Sequence, residues 1–174
     1  MFRPVERGII EDRDDVAVYT AAPQTESMLV AGNPKADLWV SADGRDADYA
    51  VKLVDVWPSG AAYPVAEGVL RLTHWDTDAK ASPVTPDKVY RITIDLGHTA
   101  FQLQPGHSLR MEIAGSDFPA YDRNSHTGDG PFSTTGAKGN ATCLPHPGDA
   151  FTRSDPCAAV EIEVTSSNDR RSHE

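Results

Sequence analysis

Residues 105–124 read PGHSLRMEIAGSDFPAYDRN and carry the clearest structural signal in this chain. Apolar residues alternate with charged ones over 109–113, which is the period of a β-strand with one buried face. The same period recurs at 91–96 and 160–164, and residues 51–56 are apolar on nearly both faces, as in a covered central strand. Turn signals separate these segments, and no stretch of a dozen residues shows a helical period. The sequence therefore predicts an all-β sandwich or jelly roll.

A polar turn closes the quoted stretch. Asp117, Asp122 and Asn124 have side chains that bond nearby backbone amides in irregular turns. Phe118 and Tyr121 are expected to anchor the turn by burying their rings. The sequence therefore predicts an ordered loop directly after a strand.

Length and charge limit the possible partners. The chain has 174 residues, enough for a single domain with one sizeable core, and its net charge is −10. Nucleic acids and anionic membranes both favour clustered Lys and Arg, so neither is expected as a partner. No apolar run approaches the roughly 20 residues of a membrane span, and the first residues lack a signal-peptide core. We expect a soluble protein, and the sequence leaves its compartment open.

Motifs spread along the chain point to one known family. They are residues 18–23, 30–32, 38–41, 46–56, 68–71, 89–90, 95–96 and 99–100, then Gly-His-x-Leu-Arg at 106–110, Ser-Asp-Phe-Pro-x-Tyr-Asp-Arg-Asn at 116–124 and Thr-Gly at 127–128. In this order they resemble the C-terminal domain of the X-Pro dipeptidyl-peptidase and cocaine esterase family of serine hydrolases. The departures lie mostly after residue 128, where a long connection rich in Gly and Pro carries both cysteines.

The resemblance implies a galactose-binding-like jelly roll. It also implies a domain organisation with an N-terminal lead-in at 1–13, the β-sandwich domain at 14–165 and a disordered polar tail at 166–174. In the family, the catalytic Ser, Asp and His lie in a preceding α/β-hydrolase domain, and no position here inherits them. The resemblance therefore implies a non-catalytic module without a cofactor. Its partner would be an α/β-hydrolase catalytic domain, in the same chain or in a separate one, that hydrolyses a peptide, ester or amide.

The polar turn has two interpretations. In the first, it docks on the catalytic domain or forms one wall of the substrate pocket, and the candidate residues are Asp117, Phe118, Tyr121, Asp122, Arg123 and Asn124. In the second, it is a self-bracing Ω-loop that only closes the sandwich. The whole chain also has an alternative interpretation as a stand-alone module that binds carbohydrate or another small ligand. Trp39, Trp57 and Trp75 would be its stacking platform, although Trp39 sits in an apolar strand typical of a core.

Catalytic and metal sites find little support in the sequence. Ser108 lies in Gly-His-Ser-Leu-Arg, which lacks the second glycine of a nucleophile elbow and precedes a strand where a helix would be needed. The six histidines show no ligand spacing. The acidic segments 11–15 and 43–48 could supply calcium ligands, but solvated turn carboxylates are the default and no EF-hand pattern is present. We therefore predict no catalytic residue and no metal site.

The two cysteines predict a disulfide. Cys143 and Cys157 flank a loop without an apolar pattern of its own. A bridge between them would stabilise the domain by about 3 kcal/mol on the loop-entropy model. Two free thiols are the alternative if the protein resides in a reducing compartment.

Overall fold

The described residues form two packed antiparallel sheets and a smaller two-stranded one. The computed structural model describes residues 6–76, 80–129, 141–144 and 158–161. Its elements are α1 (Gly8–Glu11), β1 (Val16–Thr20), β2 (Met28–Gly32), β3 (Lys35–Ala42), β4 (Asp48–Val56), β5 (Ala62–Arg71), a 3₁₀ turn (Leu72–His74), β6 (Tyr90–Asp95), β7 (Thr99–Leu103), β8 (Ser108–Ala114), β9 (Ala141–Leu144) and β10 (Ala158–Glu161). The predicted all-β sandwich is confirmed.

The sheet topology places β8 beside strands that lie far from it in the chain. One sheet has the order β1-β8-β4-β5, and every pair in it is antiparallel. In the facing sheet, β3 pairs with β6 along one edge and with β9 and β10 along the other. A two-stranded sheet of β2 and β7 completes the described strands. The loop that follows β8 therefore leaves the sheet beside the start of β4, its antiparallel neighbour.

The core lies between the sheets and is built from alternate residues. Strand β6 sends every second side chain inward, and Leu109, Met111 and Ile113 of β8 do the same, which confirms the predicted alternation at 91–96 and 109–113. The innermost apolar residues include Leu38, Val40, Tyr49, Val51, Leu53, Ile92, Ile94, Leu109, Met111 and Ile113. Tyr49 satisfies its hydroxyl by donating to the Ser41 carbonyl at 2.8 Å, and burial raises the pKa of Tyr49 above its usual range. The predicted central position of 51–56 is confirmed, since β4 pairs on both sides.

The two sheets meet closely along one edge, where β5 lies against β6. An ideal Cβ on Gly68 would lie 2.1 Å from the Asp95 carbonyl oxygen, so only glycine fits at this position. Nearby, the Thr99 hydroxyl donates to the Val65 carbonyl at 2.7 Å. The close approach of the two backbones closes the sandwich at this edge.

The N-terminal residues lie against the four-stranded sheet. The Arg7 amide donates to the Ala62 carbonyl of β5 at 3.0 Å, and the single turn of α1 follows at once. The predicted division at residues 1–13, 14–165 and 166–174 stays a prediction, because the final tail lies outside the described residues. Among the described residues, no helix is long and apolar enough to span a membrane.

Candidate functional site

The polar turn, here called the 117–124 loop, is attached to the sheet at both of its ends. At its start, the Lys52 ammonium of β4 donates to the Asp117 carboxylate at 3.0 Å and also pairs with Glu67 of β5. The Lys52 side chain is largely buried, which by itself would lower its pKa. The hydrogen bonds and charges of Glu67 and Asp117 outweigh that effect and raise the pKa of Lys52. Lys52 is therefore a charged anchor for the first residue of the loop.

The far end of the loop is held by a second set of polar contacts. The Asn124 side-chain amide donates to Asp46 at 3.0 Å and to Asp48 at 2.7 Å, while its carbonyl oxygen accepts the His126 amide at 2.9 Å. Asp48 in turn accepts two hydrogen bonds from Arg71, at 2.8 and 3.0 Å. The Asp48 hydrogen bond is the main cause that raises the pKa of Arg71. The predicted bond from Asn124 to a nearby backbone amide is confirmed.

Close backbone packing supports the same end of the loop. The Arg45 amide donates to the His126 carbonyl at 3.0 Å, which joins the turn before β4 to the end of the loop. A Cβ on Gly44 would lie 2.5 Å from that carbonyl oxygen, so the approach requires glycine. The Asp46 carboxylate also accepts the Thr73 amide at 3.1 Å. The backbone contacts of His126 and the carboxylate of Asp46 therefore hold this end of the loop against the turn before β4.

Between these attachments, the loop presents its aromatic side chains to solvent. Phe118 is 57% exposed and Tyr121 is 51% exposed, so the expectation that they anchor the turn by burial is wrong. The polar contacts of Asp117 and Asn124 fix the loop, which leaves both rings free to face outward. The Arg123 guanidinium lies 4.7 Å from the centre of the Phe118 ring and has no carboxylate partner among the described residues. Asp122 is exposed, and its charge contributes to the raised pKa of Arg71.

Sequence reasoning missed a set of charged residues on the outer face of the sheet, here called the outer-face network. Glu112 of β8 is only 2% exposed and accepts hydrogen bonds from Arg7 at 3.0 and 2.5 Å. Arg110 pairs with Glu11 and donates to Thr20 at 2.8 Å. Alternation alone places residues 110 and 112 on a solvated face. Residues 6–13 cover that face, and no local signal reveals a partner for Glu112 that lies 105 residues away.

The covering segment and the loop form two walls of a groove. The groove has a volume of about 710 Å³, and its floor is the outer face of β4 and β8. Arg13 lies on one wall, and Phe118 and Arg123 lie on the other. The lining contains both cationic and carboxylate side chains, so the groove suits a polar segment of polypeptide better than an apolar ligand.

The opposite end of the same sheet, here called the tryptophan end, carries a different arrangement. His107 Nδ1 lies 2.7 Å from the Asp55 carboxylate, and both side chains are largely buried. Trp57 is 47% exposed, and its ring centre lies 5.5 Å from those of Tyr63 and His107. An exposed indole beside a fixed imidazole offers a small surface for stacking a planar or pyranose ring.

Comparison with known proteins identifies the family. A sequence model described as the X-Pro dipeptidyl-peptidase C-terminal non-catalytic domain matches residues 3–150. The chain belongs to this family. The predicted resemblance is therefore confirmed, and with it the assignment of the chain as a non-catalytic domain of this class of hydrolases.

Three larger hydrolases contain a region similar to this member of the X-Pro dipeptidyl-peptidase C-terminal family. The cocaine esterase of Rhodococcus sp. (strain MB1 Bresler) is 36% identical over 125 residues, which are 72% of this chain and 22% of the esterase. The structure of an aminopeptidase from a Thaumarchaeota archaeon of marine sediment superposes with a TM-score of 0.79 at 29% identity, over 94% of this chain and 28% of that one. An α-amino acid ester hydrolase shares the fold with a TM-score of 0.79 at 24% identity, over 92% and 27%. The chain thus spans less than a third of each protein.

Ser108 and the two acidic segments are the remaining residues that were considered for a catalytic or metal-binding role. Ser108 is buried opposite Val56 in β4, and among the described residues it forms no hydrogen bond to an imidazole. Within residues 6–76, 80–129 and the two short described strands, no three His, Cys, Asp or Glu side chains form a possible metal site. In the acidic segments considered for calcium, Glu11 and Asp48 pair with arginines.

Two further predictions concern tryptophans and cysteines of this family member. Trp75 stacks on the buried Tyr90 at 5.4 Å, and Arg91 lies over Trp39 at 5.2 Å. The described contacts thus leave Trp57 as the exposed member of the proposed platform.

The predicted bridge between Cys143 and Cys157 lies outside the described side chains and stays a prediction.

Proposed function

We propose that this chain packs against the catalytic domain of an α/β serine hydrolase through the 117–124 loop, and that the loop shapes the entrance to the substrate pocket. The observation that carries the proposal is the contrast within the loop itself. Its two ends are fixed to the sheet by Asp117 and Asn124, while Phe118 and Tyr121 are exposed. Such a loop presents apolar surface in a defined position.

The energetics of association favour this interpretation. Ordering a flexible loop on binding costs free energy for each side chain that becomes fixed, so a loop that is already ordered binds at a lower cost. Aromatic side chains and arginine are the residues that contribute most to protein interfaces. Arg123 stacks on Phe118 and has no carboxylate partner among the described residues. Its guanidinium is therefore placed to donate hydrogen bonds to a carboxylate of the catalytic domain. We propose all six predicted residues as the interface on these grounds, with Asp117, Asp122 and Asn124 in supporting positions.

The names of the related proteins indicate the reaction of the parent enzyme. In this family the domain forms the C-terminal part of hydrolases that carry a larger catalytic domain in the same chain. The relatives include an esterase, an aminopeptidase and an ester hydrolase. We propose that the partner of this domain hydrolyses an ester, amide or peptide bond through an acyl-serine, and that it lies in the same polypeptide.

A chimeric enzyme tests the docking role. The aligned region of the Rhodococcus cocaine esterase is replaced by the matching 125 residues of this chain. In the chimera, Phe118→Ala with Tyr121→Ala should lower kcat/KM for an aryl ester by about tenfold, the effect of losing about 1.4 kcal/mol at the interface. The matched control is Leu29→Ala with Val89→Ala, which removes two exposed apolar side chains elsewhere. Equal activities of the two variants in a folded chimera would contradict the proposal.

A second candidate function is binding of a carbohydrate or another small ring at the tryptophan end. The exposure of Trp57 beside Tyr63 and His107 favours it. A calorimetric titration with a panel of mono- and disaccharides should then detect a ligand that Trp57→Ala no longer binds. Trp75→Phe is the control, because Trp75 packs on Tyr90. A panel without any binding would leave docking as the function.

A further inference from the structure

We propose that Arg7 is a positioning residue for the 117–124 loop and acts through the outer-face network. Among the described residues, the Arg7 side chain forms its hydrogen bonds with Glu112 and none with the loop. It neutralises Glu112, and by doing so leaves Lys52 available to hold Asp117. The relevance of this coupling to hydrolase docking rests on the proposed function, whereas the coupling itself is a property of the isolated chain.

Lys52 and Glu112 lie opposite each other on the neighbouring strands β4 and β8. Lys52 and Glu112 are direct partners in the register of these two strands, and both side chains lie on the outer face. Directly opposed side chains in antiparallel strands have Cβ atoms about 5 Å apart. The Lys52 ammonium is therefore within reach of three carboxylates, those of Glu67, Asp117 and Glu112.

The Glu112 carboxylate is buried and depends on Arg7 for a cationic partner. At 2% exposure the Glu112 carboxylate has no access to solvent, so it needs a cationic partner in the protein. Arg7 provides that partner through two nitrogens, Nε and Nη2. Without Arg7, the Glu112 carboxylate would compete with Glu67 and Asp117 for the ammonium of its cross-strand neighbour Lys52.

The consequence for the loop follows from this competition. Lys52 holds Asp117 at 3.0 Å, and the Asp117 carbonyl accepts the Tyr121 amide at 3.1 Å. A Lys52 side chain drawn toward Glu112 releases the first residue of the loop, and the turn that orders Tyr121 then opens more often. The N-terminal segment thus controls the rigidity of the loop from the opposite wall of the groove.

Hydrogen exchange of the Tyr121 amide in the full chain measures this coupling. Arg7→Ala should accelerate its exchange by about tenfold, because a loop that opens more often protects its amides less. Adding Glu112→Gln to Arg7→Ala removes the competing charge, so exchange should return to within about twofold of the parent protein. The Gly106 amide, which donates to the Gln24 carbonyl near the tryptophan end, should not change in either variant.

Two controls separate positioning from general stability. Arg13→Ala removes an exposed ion pair with Asp15 from the same segment and should leave Tyr121 exchange unchanged. Circular dichroism checks the fold of each variant, and if Arg7→Ala does not fold, Arg7→Gln replaces it in the same comparison. Unchanged Tyr121 exchange in the Arg7 variant would overturn the proposal. So would a double variant that exchanges as fast as the single one. Neither result bears on whether the loop docks on a hydrolase.

Discussion

The two ends of the four-stranded sheet both expose aromatic side chains, but they support them differently. At the loop end, defined by Asp46, Asp48, Arg71 and the 117–124 loop, the carboxylates of Asp46 and Asp48 each bond more than one partner. At the tryptophan end, a single pair between Asp55 and His107 lies under a half-exposed Trp57. At the loop end, the polar contacts fix a connection that has no regular secondary structure. Exposure of an aromatic ring alone therefore does not define an interface, since the backbone that carries the ring must also be fixed.

Removing Asp48 at the loop end and Asp55 at the tryptophan end should give the largest difference in the free energy of unfolding between the two ends. Asp48→Ala removes two hydrogen bonds from Arg71, which then has the Asp46 carboxylate only at 3.6 Å, and one of the two carboxylate acceptors of Asn124. It should lower the free energy of unfolding by about 3 kcal/mol. Asp55→Ala removes one hydrogen bond and should cost about 1 kcal/mol. Urea unfolding followed by circular dichroism measures both. Equal losses would show that the two ends are equally braced.

Glycine substitutions sharpen the comparison at the level of the backbone. Gly44→Ala should cost about 2 kcal/mol, because its Cβ would lie 2.5 Å from the His126 carbonyl and would push the loop away. Gly60 near the tryptophan end has open space around it, so Gly60→Ala should cost only the strain of its positive φ of 87°, about 1 kcal/mol. Thermal unfolding gives the order of the two variants. The reverse order would place the tighter backbone packing at the tryptophan end.

The aromatic side chains themselves should contribute less to stability than the groups beneath them. Phe118→Ala and Tyr121→Ala should each change the free energy of unfolding by no more than about 0.5 kcal/mol, because both rings are exposed. Trp57→Ala loses ring contacts with Tyr63 and His107 and should cost about 1 kcal/mol. Chemical unfolding of the three variants tests this order. A large loss at Phe118 would mean that its ring, and not the polar contacts, anchors the loop.

The smallest expected effect is a change in the pH dependence of stability, and it arises from Glu11 in the outer-face network beside the loop end. Burial, together with the neighbouring Glu112, raises the pKa of Glu11 from 4.5. The folded state therefore holds the Glu11 proton more tightly, and this stabilisation is fully present below pH 4.5 and is lost as the pH rises through the folded pKa. Glu11→Gln should thus show a flatter decline of stability over that interval. Asp12→Asn, on the same segment, is the control, and identical pH profiles for parent and Glu11→Gln would refute the assignment.

The fold was largely predictable because its signals are local. The alternation in β6 and β8 and the apolar run in β4 follow directly from which face of a strand is buried. The Asx-type contact of Asn124 to the His126 amide is likewise a property of neighbouring residues.

The supporting contacts of the site were not predictable because their partners are distant in the chain. Lys52 and Asp117 are 65 residues apart, and Asn124 and Asp48 are 76 apart. Without these partners in view, burial of Phe118 is the natural expectation for an aromatic residue in a turn, and the structure corrects it. The burial of Glu112 could not be predicted for the same reason, since the position of residues 6–13 decides whether its face of the sheet is exposed to solvent.

The glycine at position 68 has a consequence for how this domain behaves in concentrated solution. Among the described strands, β5 and β6 are the outermost members of their sheets on the same side. Exposed strand edges recruit strands from other molecules and so promote aggregation. Because Gly68 lets the β5 backbone touch the Asp95 carbonyl of β6, each edge shields the other from intermolecular pairing. A residue without a side chain thereby protects the protein from self-association.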